Sequence, residues 1–595
     1  MCHDECCYFC EKLAPKPPKK WSGILNATRD TPLCLQNLGG NVRGSEDCLY
    51  LNVYRPKNDR ENMPVLFRVH GGAFQVGNIG PRENADYLMD EDLVLVQIHY
   101  RMNAIGFASL GNKLMPGNYG IKDQVMALKW VQQNIASFGG NPKSVTVYGE
   151  SAGAASVHIL LKAPATEGMV HRAIADSGTV NHIWSQVKTD IVKNGTLQLA
   201  AKIGCPISGD DLEIFNCLQG VSSETLVSAL PEGMAGVDSY VPCFEPKDAE
   251  DAVMTEDLSM LPSNKPFITS NCNGEFLIPY SSLNPQVITY AHENLDSYLE
   301  EYITKYLDVP DPSRSREGAA ILKKSYFPTM EPLQNFTLEL ANVGGDITFI
   351  YPALYNLVYH QGPKWYYYLT YIGELSKAAS RAWVRIGNIP DVAAHADQRL
   401  YYFNYRSEYG FGPKDTPEDY QVSKRMIKYL VNFAYYEDQP KSKRHADIVT
   451  VQKEATKPKY ISTLYPNHDT IKSADDTKAY IQKKLKDPLQ HGIKIQNVRR
   501  VQDRGVLVEV DSAYSLAKIK DVLGRYTKVQ LKEPQKRYPK LMAYGVRAGT
   551  TIDQLKSAIS HLTDDQAVID ATTIAFSHKQ KNSNVENMCF SVHLD

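Results

Sequence analysis

Residues 144–153 read Ser144-Val145-Thr146-Val147-Tyr148-Gly149-Glu150-Ser151-Ala152-Gly153. The first six residues are short, apolar and rich in β-branched and aromatic side chains, which predicts a buried strand. An apolar helix begins at Ala152. Between strand and helix stands the pattern G-x-S-x-G, whose glycines permit a tight, strained turn that presents a serine hydroxyl. The five residues alone signal little. Their place between a strand and a helix gives Ser151 its reading as a nucleophile.

The flanking sequence extends this pattern. Val65–His70 (VLFRVH) and Leu93–His99 (LVLVQIH) are further buried-strand candidates. Gln124–Ile135 carries Val125, Leu128, Val131 and Ile135 at helical spacing, and Ser423–Tyr436 is an amphipathic helix that Gln439-Pro440 ends. Such alternation predicts an α/β fold with a mostly parallel sheet flanked by helices. Directly after the Val65 strand comes His70-Gly71-Gly72-Ala73-Phe74. Adjacent glycines can turn two N–H groups toward one oxygen, so Gly71 and Gly72, with the N–H of Ala152, are the expected oxyanion hole. A serine nucleophile also needs a base, and the base an orienting carboxylate. Nothing in the composition chooses among 15 histidines.

With 595 residues, 43% hydrophobic and 22% charged, the chain is not a collagen, a disordered chain or a disulfide knot. No apolar run approaches the ~18–20 residues that cross a bilayer, and residues 1–20 contain no stretch of signal-peptide type. The net charge of −2 hides an asymmetry. Residues 446–595 hold 24 Lys+Arg and 17 Asp+Glu, and the rest hold 41 and 50. Cys2, Cys6, Cys7 and Cys10 crowd the start beside His3, but their spacings fit no familiar zinc site, so no metal is expected and residues 1–20 read as a poorly ordered, cysteine-rich leader.

The first region resembles the type-B carboxylesterase/cholinesterase family. Phe138-Gly139-Gly140 leads through Val145–Tyr148 into the serine turn as in that family's nucleophile signature, and Glu46–Val53 (EDCLYLNV) matches a second signature. Asn118-Tyr119-Gly120 and Asp123-Gln124 also fit. The likeness implies an α/β-hydrolase fold over 21–445, a Ser-Glu-His triad and a small-molecule carboxylic ester as substrate, with no cofactor. It implies Glu275 (in PFITSNCNGEF) as the acid, His395 (in VAAHADQ) as the base, and Glu150 and Ser177 as neighbours that support them. It also implies disulfides Cys34–Cys48 and Cys205–Cys217. With sequons at Asn26, Asn194 and Asn335, these point to a secreted protein. Glu150, rather than Gln, before the serine is similar to general insect carboxylesterases.

Several positions depart from the family pattern. Phe276 follows the acid where Gly is usual, and Ser270 replaces an upstream Gly. Val392 stands for Gly before the histidine, and Gln398 for a frequent acidic residue. Against the family, the sheet is expected to be truncated at both ends, before Trp21-Ser22-Gly23 and after the Ser423 helix.

Residues 446–473 are polar and rich in Lys, Pro and Thr, and read as a linker. From 474 to 595 the pattern becomes two short α+β rounds, with helices expected at Thr477–Lys486, Leu516–Leu523 and Ile552–Leu562 and strands at Ile493–Val501, Val506–Val510, Val529–Leu531, Lys540–Val546, Ala571–His578 and Asn587–Leu594. Gly492–Arg500, Gly505–Val510, Pro539–Val546 and Phe576–Lys579 resemble the Gag-like protein of insect non-LTR retrotransposons, which implies two RRM-like modules and weak single-stranded RNA binding. Two rival readings stay open: a non-catalytic cholinesterase-like adhesion protein, and a nucleic-acid-binding chimaera with a vestigial esterase.

Overall fold

Strands buried on both faces can satisfy their backbone groups only in one another, which draws the apolar runs of the first region into one sheet. The structure, a computed structural model, describes residues 14–435 apart from 19–21, 24–26, 28–30, 81–82, 231–238, 277–284, 308, 310, 328–332 and 384–391, and beyond them only strands between 460 and 592. The expected leader therefore lies largely outside the described residues. The chain divides into two compact units, Met1–Gln439 and Pro440–Asp595.

In the first unit, β1 (Gln36–Leu38) and β2 (Asn41–Arg43) form a small hairpin. Seven strands follow: β3 (Leu51–Tyr54), β4 (Met63–Val69), β5 (Val94–Ile98), β6 (Gly140–Glu150), β7 (Arg172–Asp176), β8 (Phe267–Cys272) and β9 (Lys364–Leu369). Their order is β3-β5-β4-β6-β7-β8-β9. Only β3 runs antiparallel to its neighbour. The strand alternation sorts side chains onto two faces. Val65, Phe67 and Val69 enter one core, with Val125, Leu128 and Val131 of the helix Tyr119–Asn134 and Val157 and Leu160 of the helix Ala152–Lys162. Leu66 enters the other, against Met426, Ile427, Leu430 and Val431 of the helix Pro417–Ala434. A third cluster joins the helices Leu295–Tyr306, Pro312–Tyr326 and Leu333–Gly345. Disulfides join Cys34 to Cys48 and Cys205 to Cys217.

The register brings the carboxyl ends of the central strands level. Val69 pairs with Gly149, Glu150 with Asp176, and Asp176 with Ser270. The loops leaving β4, β6, β7 and β8 therefore meet on one edge, where ligands bind in open α/β sheets.

The second unit holds β10 (Tyr460–Pro466), β11 (Ile495–Arg500), β12 (Val506–Val510), β13 (Val529–Lys532), β14 (Lys540–Arg547), β15 (Thr572–Lys579) and β16 (Val585–Val592). They form two antiparallel sheets, β11-β12-β10-β13 and β14-β16-β15. Strand β10 falls inside the stretch read as a linker, where it pairs on both edges. The helices expected at 477–486, 516–523 and 552–562 lie outside the described residues. Among the described residues no helix is long and apolar enough to cross a membrane.

Candidate active site

Ser151 stands at φ 58°, ψ −125°, a conformation that an L-residue adopts only under strain. Its two glycines make this turn possible by contact, not by flexibility. A Cβ on Gly149 would lie 2.3 Å from the Gly153 carbonyl, and one on Gly153 would lie 2.2 Å from the Val69 carbonyl oxygen. The turn thus packs backbone against backbone, and Ser151 emerges half-buried between β6 and its helix. From the far side, Ser151 N–H donates to the Asp176 carbonyl at 2.8 Å. Gly178 closes on the Ser151 carbonyl, which a Cβ there would meet at 2.4 Å.

After β4 the backbone runs through three left-handed residues, Gly72 (φ 117°), Ala73 (φ 56°) and Phe74 (φ 60°). Successive residues of this kind turn their N–H groups into a concave nest that suits an anion. Gly71 lies against the serine turn, where a Cβ would stand 3.1 Å from Ser151 Cβ. Its N–H, expected to face an oxyanion, instead donates to Glu150 Oε1 at 2.9 Å. A buried carboxylate takes a nearby backbone donor because it has lost water. Among the described residues the N–H groups of Gly72, Ala73 and Ala152 have no hydrogen-bond partner. Ala73 was missed by the sequence reading, which weighed the adjacent glycines alone.

Glu275 and His395 come together across 120 residues, with His395 Nδ1 2.6 Å from Glu275 Oε2. The loops carrying them are tied by Gly274 N–H to the Ala393 carbonyl, 2.8 Å, and by Ala393 N–H to Asn273 Oδ1, 2.7 Å. The other carboxylate oxygen, Oε1, accepts from Ser177 Oγ at 2.6 Å, Cys272 N–H at 2.7 Å and Asn271 Nδ2 at 3.1 Å. The Phe349 ring lies 4.7 Å from the imidazole. It projects from a π-type turn, Asp346–Ile350. Phe276, which departs from the family Gly, packs on Gly344, where a Cβ would meet its ring at 2.4 Å.

Beneath the turn lies a group of four charges that the sequence did not announce, three of them buried and the fourth, Arg399, partly exposed. Arg68 pairs with Glu83 and stands 3.6 Å from Glu150, while Arg399 stands 3.6 Å from Glu83 and 3.7 Å from Glu150. Burial pushes the Glu150 carboxyl above the usual range, against the pull of Arg68. Burial also works against the Glu83 carboxylate, but Arg68, Arg399 and the Tyr405 hydroxyl at 2.6 Å outweigh it and hold Glu83 low.

Of the expected glycosylation positions, Asn194 is exposed on the helix Thr189–Lys202. Asn26 and the Asn335 side chain lie outside the described residues. Among the described residues no group of His, Cys, Asp or Glu is arranged to hold a metal ion.

Residues 13–486 match the Carboxylesterase family. The chain is similar to an acylcarnitine hydrolase of Mus musculus, 32% identical over 71% of this chain and 75% of that protein. It is equally similar, at 32% over 71% and 76%, to a juvenile hormone esterase of Tribolium castaneum. A crystal structure of juvenile hormone esterase from Manduca sexta, with OTFP covalently attached, superposes with a TM-score of 0.61 at 25% identity, covering 72% of this chain and 83% of that one. The sheet is that of an α/β-hydrolase, and the chain belongs to the carboxylesterase family as a carboxylic ester hydrolase.

Proposed function

We propose that ester hydrolysis proceeds through Ser151 as nucleophile, His395 as base and Glu275 as the orienting acid. The observation that carries this reading is the 2.6 Å contact between His395 Nδ1 and a Glu275 carboxylate that three further donors hold in place. With Nδ1 committed to the acid, Nε2 is the nitrogen left to take the Ser151 proton as Oγ attacks the ester carbonyl carbon. The N–H groups of Gly72, Ala73 and Ala152 receive the oxyanion, each donor of this kind contributing about 10²–10³ in rate. The tetrahedral intermediate collapses, the leaving alcohol takes the proton from His395, and an acyl-enzyme remains. Water then gives its proton to the same imidazole and attacks the acyl carbon, which releases the acid and restores Ser151.

Labelling with a fluorophosphonate tests the nucleophile, wild type against Ser151→Ala. Labelling and p-nitrophenyl acetate turnover are expected in the wild type alone. Equal labelling of both proteins removes Ser151 from its role.

Two disulfides persist in an oxidising compartment, which supports a secreted protein carrying sugar at its sequons. For the second unit, the order β11-β12-β10-β13 favours the βαββαβ module. The central strand comes first in sequence, and the intervals between β10 and β11 and between β12 and β13 are long enough for crossover helices. This supports the RRM-like reading. The Gag-like origin and RNA binding rest on the sequence likeness alone.

A further inference from the structure

Two of the positions that depart from the family pattern, 270 and 398, meet behind the catalytic acid. Gln398 is fully buried, and its Nε2 lies 2.8 Å from Ser177 Oγ and 3.1 Å from Ser270 Oγ. An amide nitrogen only donates, so both hydroxyls must accept from it. Each hydroxyl has one proton, and that proton is thereby sent outward along a second bond. From Ser177 it goes to Glu275 Oε1 at 2.6 Å, and from Ser270 to Asp176 Oδ1 at 2.8 Å. One neutral side chain thus sets the direction of two buried hydroxyl protons, and one of them ends on the carboxylate that holds His395.

The charged and titratable groups around this network are Asp176, Asp397, Glu150, Cys272, His182 and Arg399, with the hydroxyls of Tyr366, Tyr367 and Tyr402 on the side of β9. Three of them are carboxyls, besides Glu275 itself. An acidic residue at 398 would add a further one. Where it was ionised it would accept from Ser177, taking the proton that now serves Glu275, and its charge would lie near the imidazole. An amide avoids both effects.

We propose that Gln398 is a positioning residue of the hydrolytic site, acting through Ser177 to fix Glu275 as a fully bonded hydrogen-bond acceptor for His395. This rests on the triad reading above.

The test compares Gln398→Glu, Gln398→Met and wild type by the rate of fluorophosphonate labelling as a function of pH, with kcat and KM for p-nitrophenyl acetate. In Gln398→Glu the added negative charge favours the imidazolium, so the midpoint of the acid limb moves upward by about one pH unit. Gln398→Met keeps the length of the side chain and removes the donors. Its kcat falls roughly tenfold to a hundredfold with KM little changed and the acid limb in place. In a Ser177→Ala background the Met substitution adds little, because the two residues act in one line.

An acid limb that stays in place in a folded Gln398→Glu protein would mean that a charge at 398 does not reach His395, and a Met effect that adds to that of Ser177→Ala would mean that the amide only fills space. Either result overturns the proposal. If Gln398→Glu does not fold, the Met variant and its double-mutant cycle decide alone. A wild type that does not label defeats the triad reading instead, which separates the two failures.

Discussion

Asp176 lies under the serine turn, and its carboxyl is fully buried. Oδ1 accepts from Ser270 Oγ and the Tyr367 hydroxyl, each at 2.8 Å. Burial dominates over both donors and raises the carboxyl to about 7. Asp397, next but one to His395, is raised to about 7 for the same reason. An unfolded aspartate ionises near 3.9. Between about pH 4 and 7 the unfolded chain therefore holds fewer protons than the folded one at these positions, and stability falls as pH rises, by at most about 1.4 kcal/mol per pH unit for each group. Above 7 the loss is complete. Asp176→Asn removes one titration and keeps the shape, so the difference in Tm in its favour should widen from pH 5 to about 7 and then level off. A difference that stays constant with pH would show that Asp176 is ionised in the folded protein throughout.

The same scale shows what a single sequence conceals. Arg68 sits in the middle of VLFRVH, where one charge reads as an interruption in an apolar run. Its buried partners stand at 83 and 150, and the second arginine at 399. Spacing says nothing about contacts between residues 15 to 331 positions apart. Gln398 and Ser270 were visible only as departures from a pattern, and their meeting needed the register of β7 and β8. Gly71 was misread for a related reason: adjacent glycines reveal a backbone able to turn, but not which N–H a buried carboxylate has already taken.

Among elements, the serine turn was the most legible because its constraints are local. The strand expected at 144–149 is the buried end of β6, and the helix begins at Ala152 as read. The amphipathic helix expected at 423–436 starts earlier, at Pro417, where proline suits the first turn. Strand β10 went unseen because YISTLYP is short, has polar flanks and ends in a proline, which usually marks an edge. Here Pro466 pairs at the very end of β10. The close backbone packing of the turn makes its own prediction. Gly153→Ala sets a Cβ 2.2 Å from the Val69 carbonyl oxygen, and neither atom belongs to a side chain that could swing away. The end of β4 must separate from the turn, carrying Gly72 and Ala73 away from Ser151. Fluorophosphonate labelling should slow by about a hundredfold or more, with the disulfides intact by mass. Labelling at the wild-type rate would mean that the turn holds its geometry without this contact.

For the whole molecule, the question is where the hydrolase ends. The family match runs to residue 486, whereas the division into compact units falls after Gln439. Ser151, Glu275 and His395, and the loops tied to them, all come before residue 436 in the sequence. The helix Pro417–Ala434 finishes the second core against the sheet, and Tyr435 anchors its end through a hydroxyl bond to the Asp92 carbonyl at 2.5 Å. Beyond it, β10 pairs with β12 and β13 of the second unit. A strand that supplies the middle of one sheet is not available to another. The charge follows the same partition, with the excess of Lys+Arg confined to residues 446–595. A protein ending at Gln439 should therefore keep the site, label at Ser151 at close to the full-length rate and retain a single cooperative thermal transition. If it is made with both disulfides formed and yet does not react, residues 440–486 complete the hydrolase as the family match suggests, and the boundary belongs after β10.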